Sequence, residues 1–167
     1  MASLKPPFTT STAHEKVKFA QAMWNTQDPA AVSRGYTSEC IWRNRTTFLK
    51  GTNEIVAFLT AKWNREKDYR LRKELFAVGG ESMEKIAVQF WYEYRDAEDG
   101  MKWKRCYGLE DWTFDSNGKM EKRQMSGNDL ELGRNGDGVA DAKEGIEGRW
   151  FVDEVNVDEA PIGDKHW

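Results

Sequence analysis

Polar side chains at interior positions of aromatic-rich strands are the residues of this sequence that could do chemistry. A strand sends alternate side chains to opposite faces, so Lys73 shares a face with leucines and Glu110 shares one with Trp112. The stretch 41–51, IWRNRTTFLKG, turns Asn44 to the same side as its neighbouring tryptophan. Burial among rings raises the pKa of a carboxyl group, and a nearby ammonium opposes that rise. An acid held in this balance is suited to act as a general acid or base.

These positions predict an active site in which each residue has a role. Glu110 is the predicted general acid or base, and Lys73 sets its charge. Asn44 and Tyr92 are predicted to hold a substrate oxygen. The remaining predicted substrate contacts are Trp42, Trp63, Phe90, Trp112, Asn128 and Arg43. A purely structural Lys73–Glu110 ion pair is the alternative, because ion-pair networks also perturb pKa values.

Helical signals come first along the chain. Thr12 followed by Glu15 has the spacing of a capping box, and Asp28 before a proline is a second helix start. Thr52 is the predicted cap of a third helix. A strand at 36–45 separates the second helix from the third.

Strand periodicity replaces helical periodicity near residue 69. Alternating segments broken by turn residues at hairpin spacing predict strands at 69–78, 85–95, 101–114 and 119–130. Pairing Phe114 with Met120 across the last hairpin turns Asn128 to the inner face. The pattern predicts an α+β domain, with three N-terminal helices packed on a curved antiparallel sheet.

The overall composition limits the classes of protein to which this chain can belong. A chain of 167 residues suits one domain, and 25 Lys and Arg against 28 Asp and Glu argue against binding nucleic acid through its phosphates. No stretch resembles a membrane span or a secretory signal. Two cysteines without a CxxC spacing predict free thiols, and hence a cytoplasmic protein. Two histidines exclude a histidine-rich metal site.

The C-terminal part differs in composition from the rest. Residues 1–132 form the predicted domain, while 133–167 read as a Gly/Asp-rich linker followed by an aromatic tail that docks back on the domain. Residues 133–144 resemble a calcium-binding loop, but Gly133 stands where the first carboxylate is needed. No metal site is therefore predicted.

The outer sheet face is rich in aromatic and arginine residues. This composition is typical of an interface between proteins and predicts a homodimer through that face, with a solvated surface as the alternative. The residues concerned are Gln89, Trp91, Glu93, Arg95, Trp103, Arg105, Tyr107 and Asp111.

The order of motifs resembles the nuclear transport factor 2-like, or SnoaL-like, superfamily. The segments WRNRTTFLKG, KWNREKDYRLRKELFAV, CYGLEDWTFDSNGKM and SGNDLEL are similar to an uncharacterised family of bacteria and fungi within it, over residues 7–132. The resemblance implies a cone-shaped fold with an apolar pocket, in which one or two carboxylates do proton chemistry without metal or organic cofactor. Members of that family have Asn where Leu109 stands and Ile where Gly127 stands, so the pocket floor here is expected to differ.

The site motifs of characterised members of the superfamily are only partly present in this sequence, which limits the reactions that the resemblance implies. The segment 42–44 lies where the limonene epoxide hydrolase has a Tyr-x-Asn pair that holds water, which supports Asn44 as an inward group. The Asp-Arg-Asp arrangement of that enzyme is not reproduced, because Glu93 and Arg95 are the nearest pair and face outward. The two histidines of scytalone dehydratase have no counterpart either.

Two functions follow as hypotheses. The first is a cofactor-independent enzyme, of isomerase, dehydratase or cyclase type, acting on a small apolar ring-containing molecule. The second is a non-catalytic small-molecule-binding or scaffold dimer of the same fold, because a fold does not determine function. The space left among Trp42, Trp63, Phe90 and Trp112 distinguishes them.

Overall fold

The computed structural model describes residues 4–133 and 148–167. Most of the predicted linker and the calcium-like pattern lie outside the described residues. The α-helices are α1 (Thr10–Asn25), α2 (Pro29–Ser33) and α3 (Gly51–Arg65), and two 3-10 helices follow at Val157–Glu159 and Asp164–His166. The strands are β1 (Tyr36–Asn44), β2 (Thr47–Lys50), β3 (Glu66–Gly79), β4 (Lys85–Asp96), β5 (Lys102–Phe114) and β6 (Met120–Gly133). No helix in the described part of the chain is long and apolar enough to cross a membrane.

Two helix starts differ from the predicted ones. The backbone N–H of Thr12 donates to Thr9 Oγ1 at 3.2 Å and that of Thr9 donates to Thr12 Oγ1 at 2.9 Å, so α1 begins earlier. The predicted box at Thr12 is wrong because a threonine hydroxyl both accepts and donates, and can replace the expected glutamate. Helix α3 begins one residue before its predicted cap, and Glu54 Oε2 accepts from the Lys50 N–H at 2.7 Å.

The six strands form one sheet in the order β2-β1-β6-β5-β4-β3. The β1–β6 pair is parallel and the other pairs are antiparallel. The sheet is therefore mixed, and the prediction of a purely antiparallel sheet is wrong. No hairpin turn joins β1 to β6, so their relative direction is not constrained by a short connection. Strand β2 was not predicted from the sequence, and it pairs with β1 after a tight turn in which Arg45 has a φ of 57°.

A register shift in β6 decides which of its residues face inward. Phe114 pairs with Met120 as predicted, but Thr113 pairs with Lys122, so the pairing of β5 and β6 shifts by one residue there. Such a bulge exchanges the two faces of every residue beyond it. Asn128 consequently lies opposite Tyr107 on the outer face, and its predicted inward position is wrong.

Helix α1 covers the free edge of β3. Asn25 Nδ2 donates to the Leu71 carbonyl at 2.9 Å, and Asn25 Oδ1 accepts from the Leu71 N–H at 2.8 Å. Gln21 Oε1 accepts from the N–H of Lys73 at 2.7 Å. Side chains that occupy edge groups prevent pairing with a further strand. They also hold the backbone at Lys73 against the helix.

The C-terminal tail contacts the outer face of the sheet. Trp150, Phe151, Val157 and Ala160 form an apolar cluster with Trp91. Glu93, which is fully buried, accepts hydrogen bonds from the N–H groups of Trp150 and Phe151 at 2.9 and 3.0 Å. The tail therefore covers part of the face predicted to form a dimer interface, and the dimer stays a prediction.

Candidate functional site

A buried cluster of charged side chains lies on the inner face of the sheet. Lys73 Nζ donates to Glu110 Oε1, and Arg123 Nε lies 2.7 Å from Glu110 Oε2. Arg123 Nη1 donates to Asn44 Oδ1 at 3.2 Å. Lys73, Glu110 and Arg123 are 2%, 4% and 3% exposed. Three of these residues were predicted from the sequence, and Arg123 was not.

The strands bring these residues together because their side chains point inward from neighbouring positions on adjacent strands. Lys73 on β3 pairs with Phe90 on β4, and Phe90 pairs with Gly108 on β5. A Cβ at Gly108 would lie 1.9 Å from Phe90 Cζ, so the ring occupies the space that another residue's side chain would need. The side chain of Lys73 spans β4 to reach Glu110, two residues along β5 from that glycine.

Aromatic rings surround the two cations of the cluster. The guanidinium of Arg123 lies 4.6 Å from the ring centre of Trp42 and 4.9 Å from that of Trp24. Lys73 Nζ lies 4.9 to 5.4 Å from the ring centres of Phe90, Trp24 and Trp112. Ring faces attract cations and partly replace the water that burial removes.

Burial governs the protonation of the cations. Desolvation lowers the pKa of Lys73 well below its ordinary value, and the positive charges of Arg123 and Lys62 lower it further. Desolvation also lowers the pKa of Arg123. The fully charged cluster holds two cations against one carboxylate, so loss of a proton from Lys73 relieves an uncompensated positive charge. A lysine with a lowered pKa releases its proton more readily than an exposed lysine does.

The space beside this cluster is small. A floor cavity of about 10 Å³ is lined by Lys73, Arg123, Asn44, Tyr92, Phe90 and Trp24, among others. That volume is enough for about one water molecule. Trp42, Trp63 and Trp112 do not line it, and they pack in the core instead. Trp63, for instance, makes an edge-to-face contact with Trp24 at 5.8 Å between ring centres.

A larger cavity, here called the mouth, adjoins the floor cavity. Its volume is about 320 Å³, and Asn44, Lys62 and Tyr92 line both spaces. Arg45 Nη2 donates to the Tyr92 hydroxyl at 3.4 Å and lies 2.7 Å from Asp129 Oδ2. Lys62 forms an ion pair with Glu66, which also lines the mouth. The mouth is therefore a polar, solvent-accessible space that leads toward the buried cluster.

Two further cavities account for the other predicted residues. Trp112 lines an apolar cavity of about 210 Å³ between α1, α2 and the sheet, away from the mouth. Arg43 and Asn128 line an open groove of about 600 Å³ that includes outer-face residues such as Trp91 and Tyr107. The structure thus brings together Glu110, Lys73, Asn44, Tyr92 and Phe90, and it places Arg43 and Asn128 elsewhere.

Three residues of this region were not predicted from the sequence. Arg123 was not predicted because unbroken alternation from Met120 would turn it to the outer face, and the bulge in β6 has no sequence signal that was recognised. Lys62 and Glu66 have the i,i+4 spacing of a helical ion pair, and this spacing could have identified them. The sequence predicts the next strand only from residue 69, whereas β3 begins at Glu66, directly after α3.

The comparisons with known proteins agree with this architecture. A family model described as "Protein of unknown function (DUF1348)" matches residues 6–138. A search among functionally curated proteins found no match.

Many solved structures share the fold. A type 2 hexachlorocyclohexane dehydrochlorinase (LinA) matches with a TM-score of 0.63, with 12% identity over 81% of this chain and 95% of that chain. SalBIII, an epoxide hydrolase/cyclase-like enzyme of pyran ring formation in salinomycin, matches at 0.62, with 13% identity over 71% and 92%. BvnE pinacolase from Penicillium brevicompactum matches at 0.59, with 13% identity over 70% and 85%.

At these sequence identities, the similarity to the solved structures shows a shared fold alone. The family model covers most of the chain, and the resemblance to nuclear transport factor 2-like and SnoaL-like proteins is confirmed. This chain belongs to the DUF1348 family and has the nuclear transport factor 2-like fold.

Proposed function

We propose that this protein is a cofactor-independent enzyme that performs acid–base chemistry on a small, apolar, ring-containing molecule bound in the mouth. The observation that carries the proposal is a buried carboxyl group, Glu110, held between an amine and a guanidinium that both line the floor cavity next to the mouth. Buried ionisable groups next to a cleft are characteristic of catalytic sites.

The proposed roles follow the geometry. Glu110 is the general acid or base, and Lys73 is its charge partner. Asn44 and Tyr92 line both the mouth and the floor cavity, where they would hold a substrate oxygen. A ring does not fit in the floor cavity, but one water does, and a single water can carry a proton between buried and bound groups.

The names of the fold relatives suggest a first set of compounds. An epoxide, a vicinal diol and a hexachlorocyclohexane represent the chemistry of the epoxide hydrolase/cyclase-like enzyme, the pinacolase and the dehydrochlorinase. Incubation of each with the full chain, followed by mass spectrometry, measures turnover. Turnover of none of the three by the wild-type protein would contradict the proposal.

Variants of the carboxyl group test the mechanism. Glu110→Gln keeps the shape of the side chain and removes its proton chemistry, so we expect kcat to fall about 100-fold or more. Glu39→Gln is the control, because the side chain of Glu39 is 77% exposed. A folded Glu110→Gln protein, checked by circular dichroism, with unchanged turnover would remove Glu110 from the mechanism.

A second candidate function is a non-catalytic binding or scaffold dimer. The dense packing around Glu110 favours it, since the floor cavity holds only about 10 Å³. In that case the compounds would bind without turnover, and sedimentation would show a dimer. Monomers at all protein concentrations, together with turnover, would exclude the scaffold function.

A further inference from the structure

The mouth contains a second acid–base pair, separate from the buried cluster. Lys62, in the last turn of α3, forms an ion pair with Glu66, the first residue of β3. Their side chains are 9% and 13% exposed, and both residues line the mouth. Glu66 and Glu98 line the mouth and Glu110 does not. The side chain of Glu98 is 69% exposed, so Glu66 is the buried acid of the two that line a cavity large enough for a ring.

The surroundings of this pair suit proton transfer. Lys62 Nζ lies 4.3 Å from the ring centre of Tyr92 and 5.0 Å from that of Tyr69. The two ring faces therefore stabilise its positive charge in addition to Glu66. Burial raises the pKa of Glu66, although the charge of Lys62 opposes the rise. A carboxylate with a raised pKa is a stronger proton acceptor than an exposed carboxylate.

The charges around the mouth indicate the class of ligand. Arg45 is paired with Asp129, Lys62 with Glu66, and Arg65 with Asp96 and Glu98. A charged ligand would have to break one of these pairs or remain without a counter-ion. Phe58 and Ala61 add apolar surface to the cavity. The mouth therefore matches a neutral molecule with an apolar ring and a polar group.

We propose that Glu66 is a further catalytic residue, and that the mouth binds a neutral, hydroxylated ring compound whose hydroxyl contacts the Lys62–Glu66 pair. This inference rests on the proposed function. In the step, the O–H bond of the ligand breaks, its proton moves to a Glu66 carboxylate oxygen, and the electron pair stays on the ligand oxygen. Lys62 remains protonated and donates a hydrogen bond to that oxygen, which becomes a nucleophile.

Binding of simple probes tests the site without turnover. Cyclohexanol, cyclohexanecarboxylate and cyclohexylammonium share one ring and differ in charge, and calorimetry with the full chain measures each affinity. We expect cyclohexanol to bind about tenfold more tightly than either charged probe, a difference of about 1.4 kcal/mol. Tighter binding of a charged probe, or no binding of cyclohexanol, would overturn the ligand class.

A pair of matched variants locates the site. Ala61 lines the mouth on α3, and Ala57 lies one turn earlier on the same helix; both are exposed. Ala61→Trp should fill the mouth and weaken cyclohexanol binding about tenfold or more, whereas Ala57→Trp should leave it within about twofold. Equal affinities in the two variants would overturn the location.

The role of Glu66 is tested by Glu66→Gln, with Glu39→Gln as the control. We expect Glu66→Gln to lower turnover about 100-fold and to remove an ionisation from the acid limb of the pH–rate profile. Loss of turnover in Glu110→Gln but not in folded Glu66→Gln would overturn this inference and leave the proposed function intact. If the wild type turns over no compound, the proposed function fails, and the probe affinities still decide the ligand site.

Discussion

At the scale of single residues, the inner face is organised by contacts between rings, charges and a missing side chain. Arg123 contacts the faces of two tryptophans and the Glu110 carboxylate at once. Gly108 supports the same arrangement by leaving room for the ring of Phe90, which contacts Lys73 in turn. The charged cluster therefore depends on a position where a side chain is absent.

Gly108→Ala should destabilise the protein because its Cβ would lie 1.9 Å from Phe90 Cζ, deep in a packed core. We expect a loss of about 1–3 kcal/mol in the free energy of unfolding, measured by urea denaturation. Gly79→Ala is the matched control, since a Cβ there meets nothing within 4 Å in the same sheet. A Gly108→Ala protein as stable as the control would contradict this account of the packing.

At the scale of elements, the sheet uses its two faces differently. The inner face packs on α1 and α3, whereas the tail packs on the outer face. Arg105 Nη2 donates to Glu93 Oε1 at 2.8 Å, and the same carboxyl group accepts from two backbone N–H groups of the tail. One buried acid thus joins β4, β5 and the tail.

Glu93→Gln should release the tail. An amide side chain carries no charge and accepts with only one oxygen, so Arg105 and the tail N–H groups lose part of their hydrogen bonding. We expect faster hydrogen exchange across 150–162, with little change in α1. Glu159→Gln, an exposed change in the same tail, is the control. Unchanged exchange in a folded Glu93→Gln protein would show that the apolar contacts alone hold the tail.

At the scale of the whole molecule, Asp96 links elements that are distant along the chain. It is fully buried, accepts from Arg65 Nε and Nη2 at 2.9 and 2.7 Å, and accepts from Lys104 Nζ at 2.8 Å. These hydrogen bonds lower the pKa of Asp96 below its ordinary value. The charged form therefore stabilises the end of α3 against β4 and β5.

The pH dependence of stability follows from that shift. Because the pKa of Asp96 is lower in the folded state than in the unfolded chain, its contribution is complete above the unfolded value of about 3.9. It is lost as pH falls through the folded value. Asp96→Asn should be about 2 kcal/mol less stable than wild type at pH 7, and the difference should shrink toward pH 2. Asp153→Asn, at an exposed position, is the control for urea denaturation across this range. A difference that stays constant with pH would contradict this role.

The alternation of apolar residues by itself determined much of this protein. It identified the strands β3, β4 and β5 and predicted that Lys73, Tyr92 and Glu110 face inward, because side-chain direction along an unbroken strand alternates with a period of two. The capping residues of α2 were likewise evident from Asp28 and the proline after it.

Tertiary structure decided the rest. The bulge in β6, the parallel β1–β6 pair and the place of Glu66 beside the mouth depend on contacts between segments far apart in the chain. A local pattern carries no record of such contacts. The bulge moved Arg123 inward and Asn128 outward, since one extra residue exchanges the faces of all that follow. The size of the floor cavity could not be predicted from the sequence either, because it depends on how side chains from several elements fill one space.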